Sequence, residues 1–411
     1  MTKATLPLKA FAEEAQTGPF GSQLHSEEYI EDGVPVINPS NIKDGRLVAD
    51  RFSTVSEETS HRLRVHRLRA GDLVFARRGE LGRAAVVSGR EEGWLCGTGS
   101  IRVRVNHDQL DPHFAGYALQ SAEIRSYFEQ RAVGSTMGNL NTTIVLGAPI
   151  RNAPLEEQRR IADFLDVEVG KIDDLISKKL RLISLMEERI NSRILEQVGA
   201  SQLVRYSTGT PVLPIRRILI KVIRPAVKNE GIVTAFRDGQ VTERGQRRAE
   251  GYTLSASTEA QGQYVQAGDV VVHGLDGFAG AIGTSESNGN CSPVYHVCVL
   301  SGDGDAHFMG RFLRLLAIQG YLGNFATSTR ERAVDFRNWD LFGRIPVPVV
   351  PAPEQREIGA WIIKLRPLRN AVERSKALAA ERRQALITAA VTGQFDVTTA
   401  SGRNVTGGVP R

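Results

Sequence analysis

The chain contains a long internal repeat, and this repeat limits its possible folds more than any other feature. The phrase PLEEQRRIADFL at 154–165 returns as PAPEQREIGAWI at 351–362, an offset of 197 residues. GDLV at 71–74 returns as GDVV at 268–271, again 197 residues later. Recurrence at a near-constant offset indicates two copies of one unit. We expect each copy to be a mixed domain followed by a helical segment.

The two mixed domains are predicted at 1–153 and 201–352. The first contains short β-rich runs (VPVINP, DLVFAR, AAVVSG, SIRVRV) between glycines and prolines, then one predicted helix, HFAGYALQSAEIRSYFEQRAV, from His113. The second repeats the plan with GDVVVHG, VYHVCVL and the helical phrase FMGRFLRLLAIQGYL. The sequence therefore predicts an α+β fold with two tandem α/β domains.

The segments 154–200 and 353–397 change character and are predicted to be helical spacers. Each carries an apolar stripe that repeats every seven residues, which is typical of a helix that packs on a partner helix. Packing against its own domain is the alternative for either copy, but two copies with the same stripe favour pairing. The predicted pairing residues are Val169, Ile176, Ile183, Ile190, Leu365, Val372, Ala379 and Leu386.

Two residues predict a hinge in each helical segment. Pro367 lacks the N–H that a helix interior needs, and the aligned position in the first copy is Gly170. We expect a short helix, a hinge and a longer helix of about 25 to 28 residues in each copy, a length of about 42 Å. The polar tail at 398–411 is predicted to be disordered.

Composition favours a cytoplasmic protein with a nucleic-acid partner and no membrane partner. The 411 residues include no signal-peptide pattern and no run of about 18 apolar residues. Of 52 basic residues, 42 are arginine, whose planar fork suits phosphates and guanine edges, although codon usage would explain the same excess. Cys96, Cys291 and Cys298 form no C-x-x-C pair, so we expect them to be buried apolar residues.

The sequence lacks the motifs of an active site. It has no phosphate-binding P-loop and no Glu-x-Lys triplet of the common metal-dependent nucleases. The phrase INPSN at 37–41 lacks the second proline and the aromatic residue of an amino-methyltransferase loop. The histidines form no H-x-H or H-x-x-x-H pair. We therefore predict no catalytic residues, no metal ligands and no cofactor on this chain.

Arginines and polar loops supply the candidate DNA contacts instead. The first domain has two arginine-rich stretches and a polar loop near 133–143. The alternating arginines of one stretch predict a strand with these side chains on one face. The second domain has arginines at corresponding places. A solvated surface is the alternative for each. The candidates are Arg62, Arg64, Arg77, Arg78, Arg83, Ser135, Thr136, Asn139, Asn141, Arg244, Arg247, Arg248, Arg330, Arg332, Arg337 and Asn338.

These phrases resemble the specificity subunit of type I restriction-modification enzymes over about residues 15–395. The opening PFGSQL with VPVINPSNI, the doubled P-x-x-EQ-R-x-I helix entry and the closing ERRQALITAAVTGQFDV carry the resemblance. It implies two target recognition domains that each read half of a bipartite DNA sequence. It also implies two long helices that pair as an antiparallel coiled coil with a pseudo-twofold internal repeat.

The resemblance also implies partners and cofactors. Two modification subunits would dock on this chain and methylate adenine at N6, and restriction/translocase subunits would join for host defence. S-adenosylmethionine, ATP and magnesium are expected on those subunits, since the specificity subunit itself catalyses nothing. The alternatives are a stand-alone DNA-binding or regulatory protein of the same architecture, and a helical scaffold without a DNA role.

Overall fold

Short strands at the start of each half and two long helices form the framework of the chain. The computed structural model describes residues 4–79, 82–132, 139–198, 211–246, 262–325 and 336–397. The chain divides into two units: unit 1 comprises Met1–Ser177 and Arg374–Arg411, and unit 2 comprises Lys178–Glu373. The domain boundaries predicted from the sequence stay a prediction, because this division passes through both long helices.

The elements of the first half precede the first long helix. Its strands are β1 (Thr5–Pro7), β2 (Ala12–Thr17), β3 (Tyr29–Ile30), β4 (Val34–Ile37), β5 (Ile42–Lys43), β6 (Arg46–Leu47), β7 (Thr54–Val55), β8 (Leu73–Ala76), β9 (Ala84–Val86), β10 (Leu95–Cys96), β11 (Ser100–Val105) and β12 (Pro149–Arg151). Its helices are α1 (Glu57–Arg62), α2 (Pro112–Leu119), α3 (Ala122–Arg131), α4 (Thr142–Leu146) and the long α5 (Leu155–Val198).

The second half repeats this order. Its strands are β13 (Val212–Pro214), β14 (Leu219–Lys221), β15 (Val233–Ala235), β16 (Val241–Glu243), β17 (Gln263–Val265), β18 (Val270–His273), β19 (Ile282–Thr284), β20 (Gly289–Cys291), β21 (Tyr295–Leu300) and β22 (Pro346–Pro348). Its helices are α6 (Ile215–Ile218), α7 (Ala306–Ile318), α8 (Trp339–Phe342) and the long α9 (Ala352–Thr392). The predicted α+β class is confirmed.

Each unit contains the same antiparallel sheet of four strands. The order is β2-β11-β8-β9 in unit 1 and β14-β21-β18-β19 in unit 2. In unit 1, Leu73 and Phe75 of β8 face one apolar cluster and Val74 faces another. A strand buried on both faces has a continuous apolar run rather than an alternating one, and this explains the phrase LVFA. Val270 and Val271 of β18 face two clusters of unit 2 in the same way.

The repeated Gly-Asp phrase forms the entrance to this central strand. Gly71 adopts φ +87°, which favours glycine, and Asp72 is 1% exposed. The Asp72 carboxylate accepts hydrogen bonds from Nε and Nη2 of Arg104 at 2.9 and 3.0 Å. In unit 2, Asp269 accepts two hydrogen bonds from Arg224 in the same role. The repeat thus preserves a buried carboxylate that is paired and hydrogen-bonded.

Both long helices are continuous, so the predicted hinges are wrong. Helix α5 passes through Gly170 and α9 contains Pro367. Proline in a helix interior costs about 3 kcal/mol, but buried Leu365 and Val372 anchor α9 to the core of unit 2 on either side. At 44 and 41 residues, the helices are about 66 and 62 Å long at about 1.5 Å per residue. The predicted length of about 42 Å does not hold.

The predicted helix from His113 is also wrong in extent. The structure contains two helices there, α2 and α3, because the Ser121 hydroxyl accepts a hydrogen bond from Ile124 N–H at 3.4 Å and starts a new helix. Serine is favoured as an N-cap because its oxygen satisfies one of the first free N–H groups. No helix in the described part of the chain is both long and apolar enough to cross a membrane.

Candidate nucleic-acid interface

The loop after β8 is fixed against the polar segment that precedes α4. Nε of Arg77 donates a hydrogen bond to the Leu140 carbonyl at 3.2 Å, and Leu140 N–H donates to the Arg77 carbonyl at 2.9 Å. Leu140 lies between Asn139 and Asn141 in the chain. The structure therefore brings Arg77 and the two predicted asparagines together, although 62 residues separate the nearest pair in the sequence.

Asn141 has a clear structural role as the N-cap of α4. Its Oδ1 accepts a hydrogen bond from Ile144 N–H at 2.9 Å. Its side-chain amino group has no hydrogen bond among the described residues, and amide donors of this kind pair with adenine edges. Asn139 differs, since its buried Oδ1 has no hydrogen-bond partner among the described residues. Buried acceptors of native proteins are nearly always paired, so this oxygen marks the segment as unusual.

The same β8–β9 loop carries the other two arginines of this stretch. Arg78 is exposed. Nη1 of Arg83 donates to the Ile42 carbonyl at 3.3 Å, which attaches the loop to strand β5. The exposed guanidinium of Arg78 supplies donors that suit phosphates.

Arg62 and Arg64 lie in a different part of unit 1. The prediction that they belong to a strand is wrong, because Arg62 ends α1 and Arg64 begins a 3-10 turn. Ser56 caps α1 by accepting from Thr59 N–H at 3.1 Å, and this local bond favours helix over strand. Arg62 donates to the Gln23 carbonyl at 2.7 Å and pairs with Glu28. The exposed Arg64 has neither kind of contact in the described part of the chain.

Unit 2 repeats the geometry of the Arg77 loop. Gly274 follows β18, and its carbonyl accepts a hydrogen bond from Phe336 N–H at 2.8 Å. Asn338 then caps α8, accepting from Asp340 N–H at 2.9 Å. Arg337 lies against Gly274, because a Cβ added to the glycine would meet the Arg337 Cγ at 2.9 Å. Asn338 therefore corresponds to Asn141, the N-cap of α4 in unit 1, at the repeat offset of 197 residues.

Of the remaining predicted contacts of unit 2, only Arg244 lies among the described residues. Exposed Arg244 lies in a 3-10 turn after β16, and its Nε donates to the Thr234 hydroxyl at 3.2 Å. Six predicted residues of the two units lie outside the described residues, as does the predicted disordered tail at 398–411. These six are Ser135, Thr136, Arg247, Arg248, Arg330 and Arg332.

The predicted helix-pairing residues lie mainly in the two cores. Val169 of α5 and Leu386 of α9 share the apolar cluster of unit 1. The pairing residues of the unit 2 cluster are Ile183, Ile190, Leu365 and Val372. Ile176 and Ala379 are half-buried and line a cleft of unit 1. Early α5 residues thus share a cluster with late α9 residues, and the reverse holds in unit 2, as in an antiparallel pair.

A neutral histidine supports the candidate segment of unit 2. Nε2 of His296 lies 2.6 Å from the Phe336 carbonyl, and its ring packs near Trp339 and Phe342. Its buried Nδ1 has no hydrogen-bond partner within the part of the chain that the structure describes. Burial lowers the pKa of His296 below its usual value, and nearby Lys221 lowers it further. The imidazole is therefore neutral near pH 7 and holds the segment through one donated hydrogen bond.

The cysteines have a structural role. Cys96, Cys291 and Cys298 are free thiols and are buried, as predicted. Burial raises the pKa of each thiol to about 12. A thiol that stays protonated is a poor nucleophile and a poor metal ligand. Within the described ranges, no three His, Cys, Asp or Glu side chains are grouped as metal ligands.

A basic hairpin in unit 1 was not predicted from the sequence. Strands β5 and β6 pair through the turn Asp44-Gly45, with Lys43 opposite Arg46. The Asp-Gly dipeptide between IK and RL is a strong hairpin signal, and RDGQ at 237–240 repeats it. This hairpin signal is present in the sequence, but Lys43 and Arg46 do not lie in an arginine-rich stretch. Arg125 and Arg383 also lie outside such stretches. They are far apart in the sequence but line one cleft in the structure.

A known protein family matches the first part of this chain. Residues 17–184 match the family described as type I restriction modification DNA specificity domain. The match spans strands β3 to β12 of unit 1, the Arg77 loop, the Asn141 cap and the first part of α5. The resemblance inferred from the sequence is thereby confirmed.

One curated relative is named as a specificity subunit. It is a protein of Methanocaldococcus jannaschii (strain ATCC 43067 / DSM 2661 / JAL-1 / JCM 10045 / NBRC 100440), provisionally named as the type I restriction enzyme MjaX specificity subunit. The two are 25% identical over 158 residues, which is 37% of this chain. The matched region spans 36% of the length of that relative.

Two solved structures align over nearly the full length of this chain. The type-I restriction-modification S subunit from M. genitalium aligns with a TM-score of 0.50 at 13% identity, over 94% of this chain and 96% of its own. A chain from a study of complex assembly and conformational transition of the type I R-M system also has a TM-score of 0.50, at 15% identity, over 95% and 98%. The fold therefore extends beyond the specificity domain into the second half.

Proposed function

We propose that this chain is the DNA sequence-specificity subunit of a type I restriction-modification complex. The observation that carries the proposal is the specificity domain at 17–184, which contains a polar loop whose counterpart recurs in unit 2. In both units the loop after the central strand is hydrogen-bonded to a segment that leads to an asparagine, and this asparagine caps a short helix. Two such loops favour a target with two half-sites.

The donor chemistry of the loops supports DNA as the ligand. Arginine contacts phosphates or guanine, and asparagine pairs with adenine through its amide. The proposed contacts in the described part of unit 1 are Arg62, Arg64, Arg77, Arg78, Arg83, Asn139 and Asn141. Those of unit 2 are Arg244, Arg337 and Asn338. Their role as contacts remains a prediction.

The partners follow from the same proposal. Two modification subunits would dock on this chain and methylate adenine at N6, and restriction/translocase subunits would join them in the cytoplasm. S-adenosylmethionine, ATP and magnesium would bind those subunits. The buried, protonated cysteines support a non-catalytic role for this chain.

Methylation mapping tests the proposal directly. The chain is co-expressed with the methyltransferase encoded beside it, in a host without adenine methylation, and modified adenines are mapped across the genome. We expect methylation at one split motif that disappears when either protein is omitted. Soluble proteins without new methylation would contradict the proposal and favour a stand-alone DNA-binding protein.

A further inference from the structure

A basic cleft in unit 1 lies beside the hairpin of β5 and β6. The cleft has a volume of about 260 Å³ and opens into a larger one of about 1220 Å³. The turn residues Asp44 and Gly45 have φ values of +49° and +77°, as a tight two-residue hairpin requires. This turn places Lys43 directly opposite Arg46. Like charges in this position repel each other, so the hairpin concentrates positive charge at the cleft.

Two guanidinium groups on the other walls are held by neutral oxygens. Nη2 of Arg383 donates to Gln120 Oε1 at 3.0 Å, and Nη2 of Arg125 donates to Gln384 Oε1 at 3.2 Å. Gln384 also donates to the Gln120 carbonyl at 2.8 Å. The two arginines are thus positioned by neutral amides, which do not themselves compensate the positive charges.

Asp173 compensates part of this charge. It pairs with Arg383 at 4.0 Å and with Arg46 at 3.8 Å, whereas Arg125 and Lys43 form no ion pair among the described residues. Of the described residues, four basic side chains and one carboxylate, that of Asp44, line the 260 Å³ cleft. The four basic residues are Lys43, Arg83, Arg125 and Arg383. The cleft therefore has a net positive charge that favours an anion.

The same place in unit 2 is closed by ion pairs. Its hairpin turn also contains Asp-Gly, but Nη2 of Arg369 binds the Asp238 carboxylate at 2.9 Å. Arg314 and Glu187 occupy the positions of Gln120 and Gln384, at the repeat offsets of 194 and 197 residues. The remaining cavity is about 60 Å³. The duplicated fold thus does not require an open basic cleft, and its presence in unit 1 is a specific property of that unit.

From this contrast we infer that the unit 1 cleft is a binding site for a phosphate oxyanion. Lys43, Arg125 and Arg383 would supply the charge-assisted hydrogen bonds, which are stronger than neutral ones and suit the phosphate geometry. The volume exceeds that of several water molecules at about 30 Å³ each, so a hydrated phosphate group fits. The bound group is either a phosphate of the DNA backbone or a free phosphate ion. The DNA source rests on the proposed function.

Inorganic phosphate tests the site itself. The full chain is heated with increasing phosphate at constant ionic strength, with chloride as the reference anion. We expect the Tm to rise with phosphate and the apparent affinity to fall about tenfold or more in the K43Q/R125Q double variant, which removes two charge-assisted contacts. Both residues are exposed, so folding is preserved. Exposed Arg90 lies outside the cleft, and R90Q is the charge-change control.

DNA binding then identifies the source of the phosphate. If it is the DNA backbone, K43Q/R125Q weakens duplex binding and reduces the slope of log K against log salt by about 0.9 per cation lost. Phosphate binding without any change in DNA affinity assigns a free phosphate. Phosphate binding by a chain that binds no DNA sustains the site and contradicts the proposed function. A Tm response to phosphate that is absent, or equal in the double variant, overturns the inference.

Discussion

The side-chain oxygen of Gln158 accepts a hydrogen bond from the backbone N–H of Asp111 at 2.9 Å. Nε2 of the same glutamine donates to the carbonyls of Gln109 and Ala153 at 3.0 and 2.8 Å. Asp111 in turn caps α2. One buried amide therefore ties the start of α5 to the domain before it. Gln355 binds Asp305 in the same way, which explains why the EQ phrase occurs twice.

Replacing Gln158 with leucine is expected to destabilise unit 1. The change leaves one buried N–H and two carbonyls without partners, and each such loss costs about 1–3 kcal/mol. We expect the free energy of unfolding to fall by about 3 kcal/mol or more in urea titrations. Exposed Arg159 is the control, and Arg159→Ala should change it by less than about 0.5 kcal/mol. An unchanged midpoint for Gln158→Leu would contradict this role.

Substitutions at Asn141 separate its capping role from a role in DNA binding. Asn141→Asp keeps the N-cap, so stability should change little, whereas Asn141→Ala should cost about 1 kcal/mol. Aspartate cannot donate to adenine, and its charge repels phosphates. We expect Asn141→Asp to weaken duplex binding about tenfold, measured by fluorescence anisotropy. Asn106→Asp, at a loop outside the candidate interface, is the control. Equal affinities would limit Asn141 to a structural role.

Arg78 is expected to contribute to DNA affinity through phosphate contact. The side chain is exposed, so Arg78→Gln should leave the Tm unchanged. The slope of log K against log salt should decrease by about 0.9, because one fewer counterion is released. Arg90→Gln carries the same charge change at a site outside the candidate loop and should keep the wild-type slope. Two parallel salt plots would exclude Arg78 as a contact.

Acidification is expected to weaken the 336–342 segment of unit 2. Because the folded-state pKa of His296 is lowered, its neutral form contributes stability that is present above pH 6.5 and is lost as pH falls through the folded pKa. Protonation would also place a buried N–H on Nδ1 without an acceptor. We expect the free energy of unfolding to decline below pH 6.5, and His296→Gln to reduce this dependence. Identical pH profiles would refute the assignment.

The cysteine thiols are expected to resist alkylation in the folded protein. With pKa values of about 12, they stay protonated at pH 8, where exposed cysteines react. Iodoacetamide should modify none of them in buffer and all three in urea, as measured by mass spectrometry. Because the folded pKa is raised, this contribution to stability is present below about pH 9 and is lost as pH rises toward 12. Rapid labelling of the folded chain would contradict their burial.

Local patterns predicted the strands and missed the breaks between helices. The run LVFA predicts β8 because four apolar residues between turn signals are typical of a buried strand. The break between α2 and α3 depends on one serine cap, which resembles many serines that cap nothing. The continuity of α9 through Pro367 depends on Leu365 and Val372, whose buried contacts outweigh the local preference.

The candidate site was predictable where the signal is local and not where it depends on distant contacts. Arg77 and Asn141 were selected from composition, but the bond from Arg77 to the Leu140 carbonyl joins segments 63 residues apart. Arg125 and Arg383 were missed because their charges meet only after α9 packs against α3. The charge balance of the two clefts depends on such long-range contacts.

The division of the long helices has a consequence for synthesis on the ribosome. Unit 2 is one continuous segment, whereas the core of unit 1 includes Leu386, Ile387, Ala390 and Val391 of α9. Roughly 200 residues must be translated after unit 1's first segment before these side chains exist, which takes about 10–40 s at about 5–20 residues per second. During that time the apolar face of the nascent first segment has no α9 side chains to cover it.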